Sequence, residues 1–140
     1  APNNACTRGQ VVTFLWRANG SPEPKSTNHP FTDISADKYY YKAVLWAVEE
    51  GITAGLTATT FAPNNACTRG QIATFLWRAN GSPEPQSSNN PFSDVNGGPF
   101  YKAILWAAEQ GITTGYEDGS FRPNSICTRG HIVTFLYRAK

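Results

Sequence analysis

Apolar residues fall at helical spacing in two kinds of segment that alternate along the chain. The first kind is Cys67-Thr-Arg-Gly-Gln-Ile-Ala-Thr-Phe-Leu-Trp-Arg-Ala79. Its apolar positions Ile72, Phe75, Leu76 and Ala79 follow i, i+3, i+4, i+7 and form one helix face. The segment recurs at Cys6 to Ala18 and at Cys127 to Ala139, a fixed period that marks a repeat architecture. Thr68 is a good N-cap with Gln71 three residues on, which makes a capping box, and Cys67 and Ile72 occupy the two positions of a hydrophobic staple. Cys6 with Val11 and Cys127 with Ile132 repeat the staple. The second kind runs from about Asp37 to Glu50 with the stripe Tyr41, Val44, Leu45 and Val48, and returns as Tyr101, Ile104, Leu105 and Ala108. Gly51 and Gly111 stop these segments. The pattern predicts five principal helices, starting near residues 7, 37, 68, 98 and 128.

Between the helices the polar positions carry turn chemistry. Gly51-Ile-Thr-Ala-Gly55 and Gly111-Ile-Thr-Thr-Gly115 lead into Phe61-Ala-Pro63 and Phe121-Arg-Pro123, and Asp118-Gly119 is a tight-turn signal. Short hairpin-like turns are expected over 52–63 and 112–123. Ser21 to Pro30 is a polar, proline-rich linker. Phe31-Thr-Asp33 and Phe92-Ser-Asp94 read as extended lead-ins whose Phe docks and whose Asp caps the following turn. The chain divides into 1–30, the second half of a first repeat plus linker; 31–91, a second repeat plus linker; and 92–140, a third repeat. It opens inside a repeat, which points to a longer parent.

Three choices do not serve the helices. Arg8, Arg69 and Arg129 fall at N1, where a cation opposes the macrodipole. Gly9, Gly70 and Gly130 fall at N2, where Ala is the better helix former. An Arg beside free N–H groups is an anion site, and Gly admits a ligand or another chain; equally, the Arg could pair with a nearby carboxylate and the Gly relieve packing. Third, Trp46 and Trp106 lie about 140° from Tyr41 and Tyr101, off the apolar stripe, where they either pack on a neighbouring helix or line a binding surface.

Composition narrows the function. Twelve Lys+Arg against ten Asp+Glu give a net charge of only +2, which excludes a polybasic nucleic-acid or membrane-surface footprint. No apolar run reaches membrane-spanning length. The three Cys share the staple register, which favours buried thiols over a disulfide between repeats, and no spacing suggests zinc. There is no paired-carboxylate motif or nucleophile elbow, His29 and His131 have no repeated partner, and so neither an enzyme nor a cofactor is expected.

The ordered pattern Phe-x-Asp, Tyr-Tyr-x-x-Ala-x-x-Trp-Ala, Gly-Ile-Thr-x-Gly, Phe-x-Pro-Asn and Cys-Thr-Arg-Gly-Gln covers essentially the whole chain and resembles the S-layer homology family. Asp118-Gly-Ser-Phe-Arg-Pro123 matches the family's typical turn. Thr7-Arg8, Thr68-Arg69 and Thr128-Arg129 match its Thr-Arg pair, although Gly-Gln or Gly-His replaces the usual Ala-Glu and Cys stands where a branched apolar residue is usual. The resemblance implies a mainly α fold of tandem helix–turn–helix repeats in a spindle-like pseudo-threefold arrangement. A first repeat truncated to its second half should prevent the usual closure. It further implies a bacterial cell-wall anchoring module outside the cell. Such modules bind an anionic, often pyruvylated, secondary cell-wall polysaccharide in grooves between repeats. Carried over by position, the ligand-binding candidates are Arg8, Arg69 and Arg129, with Asp33, Asp94, Trp46, Trp106, Gly55 and Gly115 lining the grooves. The alternative is an adhesion module that recognises a host or partner protein through Trp and Arg surfaces. If each groove uses the half-repeat preceding its Arg, Arg69 and Arg129 have fuller surroundings than Arg8.

Overall fold

The computed structural model describes residues 4–139; Ala1, Pro2, Asn3 and Lys140, which belong to the expected lead-in and the last helix end, lie outside the described residues. The molecule is mainly α-helical, with α1 Arg8–Ala18, α2 Tyr41–Glu49, α3 Arg69–Ala79, α4 Tyr101–Glu109 and α5 Arg129–Arg138. The odd-numbered helices start where their caps put them. In α3 the Thr68 hydroxyl accepts the Gln71 N–H while the Gln71 side chain accepts the Thr68 N–H, and α1 matches it. In α5 the Nδ1 of His131 takes the same place, accepting the Thr128 N–H at 3.2 Å. The even-numbered helices begin later than expected, at Tyr41 and Tyr101, and neither has a side-chain cap. Before α2, residues Ser35 to Tyr40 turn instead, and the Ser35 hydroxyl donates to Asp37 at 2.7 Å.

The repeat becomes a ring through the residue before each cap. The Cys6 N–H donates to the Cys127 carbonyl at 2.9 Å, that of Cys67 to Cys6 at 2.8 Å, and that of Cys127 to Cys67 at 2.7 Å. Each extended Cys therefore donates to one neighbour and accepts from the other, and the circle closes around a pseudo-threefold axis. Isolated antiparallel bridges Ala5–Thr128, Thr7–Ala66 and Thr68–Ile126 flank it. At the far end of the odd helices Leu15, Leu76 and Leu136 face one shared depression. The ring of caps thus closes although the first repeat is present only as its second half. Closure of the caps needs only the Cys-Thr start of each copy, and all three copies supply it.

All three thiols are free and 0% exposed, as the staple register implies. α2 packs on α1 and α4 on α3. Each even helix turns back through a long linker, tied down where Trp16 and Trp77 donate their indole N–H to the carbonyls of Pro22 and Pro83 at 2.7 Å. Trp46 and Trp106 are 7% and 6% exposed and belong to the core. Among the described residues there is no strand. The 52–63 and 112–123 segments are hairpin-like turns closed by Leu56 N–H to Thr60 C=O and Tyr116 N–H to Ser120 C=O.

Candidate functional site

Each enclosed Arg is held by the turn that follows it in the chain. Arg69 is 4% exposed, and its Nε donates to the Phe121 carbonyl at 2.8 Å. Its guanidinium carbon lies 4.7 Å from the Tyr116 ring centroid, 4.6 Å from Phe121 and 5.4 Å from Phe135. Ring faces carry negative quadrupole charge, so this cage stabilises a cation. Among the described residues no carboxylate lies within salt-bridge distance of Arg69 or Arg8; their ion pairs are Lys42–Glu23, Lys102–Glu84 and Arg122–Asp118, all on the surface. Burial lowers the pKa of Arg69, offset in part by Tyr116, yet an Arg stays protonated at any ordinary pH.

Arg69 forms one wall of a cleft of about 200 Å³. The other sides come from Thr113 to Tyr116 in the turn, and from His131, Thr134 and Arg138 on α5. The Arg138 Nη1 donates to the Ile112 carbonyl at 3.5 Å across the same space. Gly115 has φ +75°, and a Cβ there would meet Phe92 at 2.5 Å, so only glycine lets the turn pass over the docked ring. Gly55 is equivalent, with Phe31 at 2.4 Å. His131 has its pKa lowered, first by burial and then by the Arg69 charge, which keeps it neutral and able to accept the Thr128 N–H.

Asp94 supports this geometry from outside the cleft. Its carboxylate accepts the N–H groups of Phe121 and Arg122, both at 2.8 Å, and so holds Arg122 at a positive φ of 62°. Asp33 does the same for Phe61 and Ala62, at 2.9 and 2.7 Å. The expected cap of the following turn is corrected: each Asp caps a turn 27 to 29 residues later, because the lead-in lies beside that turn in the fold.

The three copies are not equal. Arg8 is 3% exposed, and its Nε donates to the Phe61 carbonyl at 2.9 Å. Its guanidinium faces only Phe61 and Phe75, because Leu56 stands where the second cleft has Tyr116. Ala62 and Gln71 likewise replace Arg122 and His131. Arg129 is half-buried and stacks at 5.3 Å on Phe14, beside an open groove shared with Gln10, Thr13 and Arg17. The expected order therefore fails at Arg129, which is the least enclosed of the three, whereas Arg69 has more rings around it than Arg8. The enclosing turn comes after the Arg, at 52–61 for Arg8 and 112–121 for Arg69, and no such turn covers Arg129 among the described residues.

Three further sequence readings are decided by the structure. The helix-start N–H groups are not free. Arg8 donates to Asn65, Gly9 to Pro63, Arg69 to Ser125, Gly70 to Pro123 and Arg129 to Asn4, all at 2.8–2.9 Å. And Gly70 is explained by packing, since a Cβ would sit 2.5 Å from the Phe100 ring; Gly9 is 3.1 Å from Tyr40. Trp46 and Trp106 are in the core rather than in the clefts, which removes them from any recognition surface. Tyr116 and Arg122, stacked at 3.8 Å, carry no repeat signal in the sequence because Leu56 and Ala62 stand in their places in the other copy.

The fold and clefts define a class: a tandem helical-repeat module whose clefts present caged arginines at the joints between copies. The S-layer homology domain profile matches residues 30–73 and 91–132, more than half the chain, and the chain belongs to that family. It is 36% identical over 98% of its length to the surface-layer 125 kDa protein of Lysinibacillus sphaericus, and 35% identical over 84% to an endoglucanase of Bacillus sp. (strain KSM-635). It is 24% identical over 99% to the cellulosome-anchoring protein of Acetivibrio thermocellus. The chain spans 12%, 12% and 32% of those relatives respectively, so the likeness is to one segment of each. The chain is thus a cell-surface anchoring region, and no helix among the described residues is long and apolar enough to cross a membrane.

Proposed function

We propose that the chain is a non-catalytic module that holds its parent protein to the bacterial cell wall, and that the Arg69 cleft binds the acidic group of a secondary cell-wall polysaccharide. The observation that carries this reading is the Arg69 guanidinium. It is buried among three rings, it has no carboxylate partner among the described residues, and it borders a cleft with Thr113, Thr114 and neutral His131 on its other sides. A pyruvyl or other carboxylate meeting that cation would form a charge-assisted hydrogen bond in a site of low dielectric. The cleft's size suits one sugar ring with its acid rather than a larger ligand, since drug-sized sites run to roughly 300–1,000 Å³. The Arg8 joint is the weaker second site, lacking the Tyr and the His.

The test is titration of purified wall polysaccharide, native and stripped of its acidic substituents, into the chain by calorimetry. Y116L and R122A rebuild the second cleft in the image of the first, with residues already tolerated there. Y116L should weaken binding of the native polymer by about tenfold, the loss of one cation–π wall of the site. Equal binding of native and stripped polymer would refute the acidic-group reading, and unchanged affinity in both variants would move the site elsewhere.

A further inference from the structure

Asparagine is followed by glycine three times, at Asn19-Gly20, Asn80-Gly81 and Asn96-Gly97. The pair is chemically reactive, because glycine has no Cβ to keep its backbone nitrogen away from the neighbouring carboxamide. The first two pairs are locked. They lie at the ends of α1 and α3, where Asn19 Nδ2 donates to the Leu15 carbonyl and Asn80 Nδ2 to the Leu76 carbonyl, both at 2.8 Å. Their glycine N–H groups are engaged as well, Gly20 with the Arg17 carbonyl at 3.1 Å and Gly81 with that of Arg78 at 3.0 Å. Both reacting groups must break a hydrogen bond before they can meet. The third pair is free. Asn96 and Gly97 are exposed, and among the described residues neither the Asn96 side chain nor the Gly97 N–H has a hydrogen-bond partner. Gly97 and Gly98 have φ of 111° and 88°, so no Cβ stiffens the chain beyond Asn96.

We propose that Asn96 is a self-modification site, at which the chain converts its own asparagine to isoaspartate and aspartate through a cyclic imide. The Gly97 nitrogen attacks the Asn96 Cγ and gives up its proton to water. The Cγ–Nδ2 bond breaks, and Nδ2 takes a proton and leaves as ammonia. Water then opens the imide at either carbonyl, so water is the only co-reactant. Opening at the main-chain carbonyl routes the backbone through Cβ and Cγ, which makes isoaspartate and lengthens the chain by one methylene. Opening at Cγ makes aspartate with the ordinary backbone. The place of Asn96 gives the extra methylene a consequence. On one side the Asp94 carboxylate accepts the Phe121 and Arg122 N–H groups at 2.8 Å, and Val95 is buried. On the other side the Phe100 ring seats on Gly70. Isoaspartate therefore changes the tether between two anchors of the joint that covers Arg69. In the other copy Ser35 follows Ile34 as Asn96 follows Val95, and its hydroxyl donates to Asp37, so that joint has no such site. The site does not depend on any glycan.

The experiment incubates the folded chain at mildly alkaline pH and follows each pair by peptide mapping with mass spectrometry, with isoaspartate counted by isoaspartyl methyltransferase labelling. Asn96 should convert about tenfold or more faster than Asn19 and Asn80, each of which must first open two hydrogen bonds. In denaturant the three rates should converge. N96S should remove the early conversion and leave the two slow sites as they are. Conversion of Asn96 no faster than that of Asn19 and Asn80 in the folded chain would overturn the proposal. So would a rate difference that persists undiminished in denaturant, since it would then belong to the local sequence and not to the fold. Chromatography resolves the isoaspartate form for hydrogen exchange. Its Phe121 and Arg122 amides should exchange about tenfold faster than in the parent, while N96D, with the same charge and the ordinary backbone, should match the parent. Equal exchange in the isoaspartate form and N96D would overturn the effect on the joint at Arg69.

Discussion

Replacing Arg69 by alanine tests whether the caged arginine belongs to the fold as well as to the cleft. From helix rules alone, removing a cation at N1 should be neutral or stabilise by a few tenths of a kcal/mol. The tertiary contacts point the other way. Arg69 is 4% exposed, so solvent screening does little to reduce them. A buried hydrogen bond from a charged donor to the Phe121 carbonyl contributes about 1.5–3 kcal/mol. The rings of Tyr116, Phe121 and Phe135 add about 1 kcal/mol or more between them. Relief at N1 and of the burial of the charge returns part of this, leaving a net loss of about 2–3 kcal/mol. For a domain of this size that lowers the melting temperature by roughly 6–12 °C. Arg129→Ala, whose ring contact among the described residues is with Phe14, should cost under about 1 kcal/mol. Differential scanning calorimetry of the two variants beside the parent decides the matter. If Arg69→Ala melts within a degree or two of the parent, or no lower than Arg129→Ala, the cage does not stabilise the fold and the reasoning is wrong.

Gly70→Ala should destabilise by about 1–3 kcal/mol in urea unfolding although Ala is the better helix former, because its Cβ would sit 2.5 Å from Phe100. Gly9→Ala, 3.1 Å from Tyr40, should cost less; equal small effects would show that packing does not explain these glycines. His131 has a depressed pKa, so the unfolded chain binds the extra proton first. Its contribution is therefore full above the ordinary His value and is lost as pH falls below about 6.5. His131→Gln, the residue of the other two copies, should keep the cap and flatten the melting temperature between pH 7 and 5. Burial pushes the Cys127 thiol up to about 12 and raises Cys67 further, so both stay protonated in the fold while the unfolded chain ionises near pH 9. Stability should fall as pH rises from 9 towards 12, and native-state labelling of either thiol at pH 8 should run no faster than unfolding; quick labelling of both would contradict their burial.

Much of this protein was legible along the chain because the signals are local. Thr68 and Gln71 are three residues apart, and their capping box forms whatever lies beyond; the same is true of the stop at Gly51 and of the staple that buries each Cys. Repetition of those signals gave the number of helices and the family. What escaped the sequence joins residues far apart in number. Arg69 reaches Phe121 across 52 residues and Asp94 reaches Phe121 across 27, pairings that no periodicity announces. Hence the turn that encloses each arginine, the true reason for Gly70, the burial of Trp46 and Trp106, and the open state of Arg129 were all decided by tertiary structure. Helical spacing specifies which side of a helix is apolar, but whether an off-stripe Trp is covered depends on which neighbour the long linker brings back. At α5, whose Val133 carries the same local pattern as its counterparts yet lies in water, the covering element alone makes the difference.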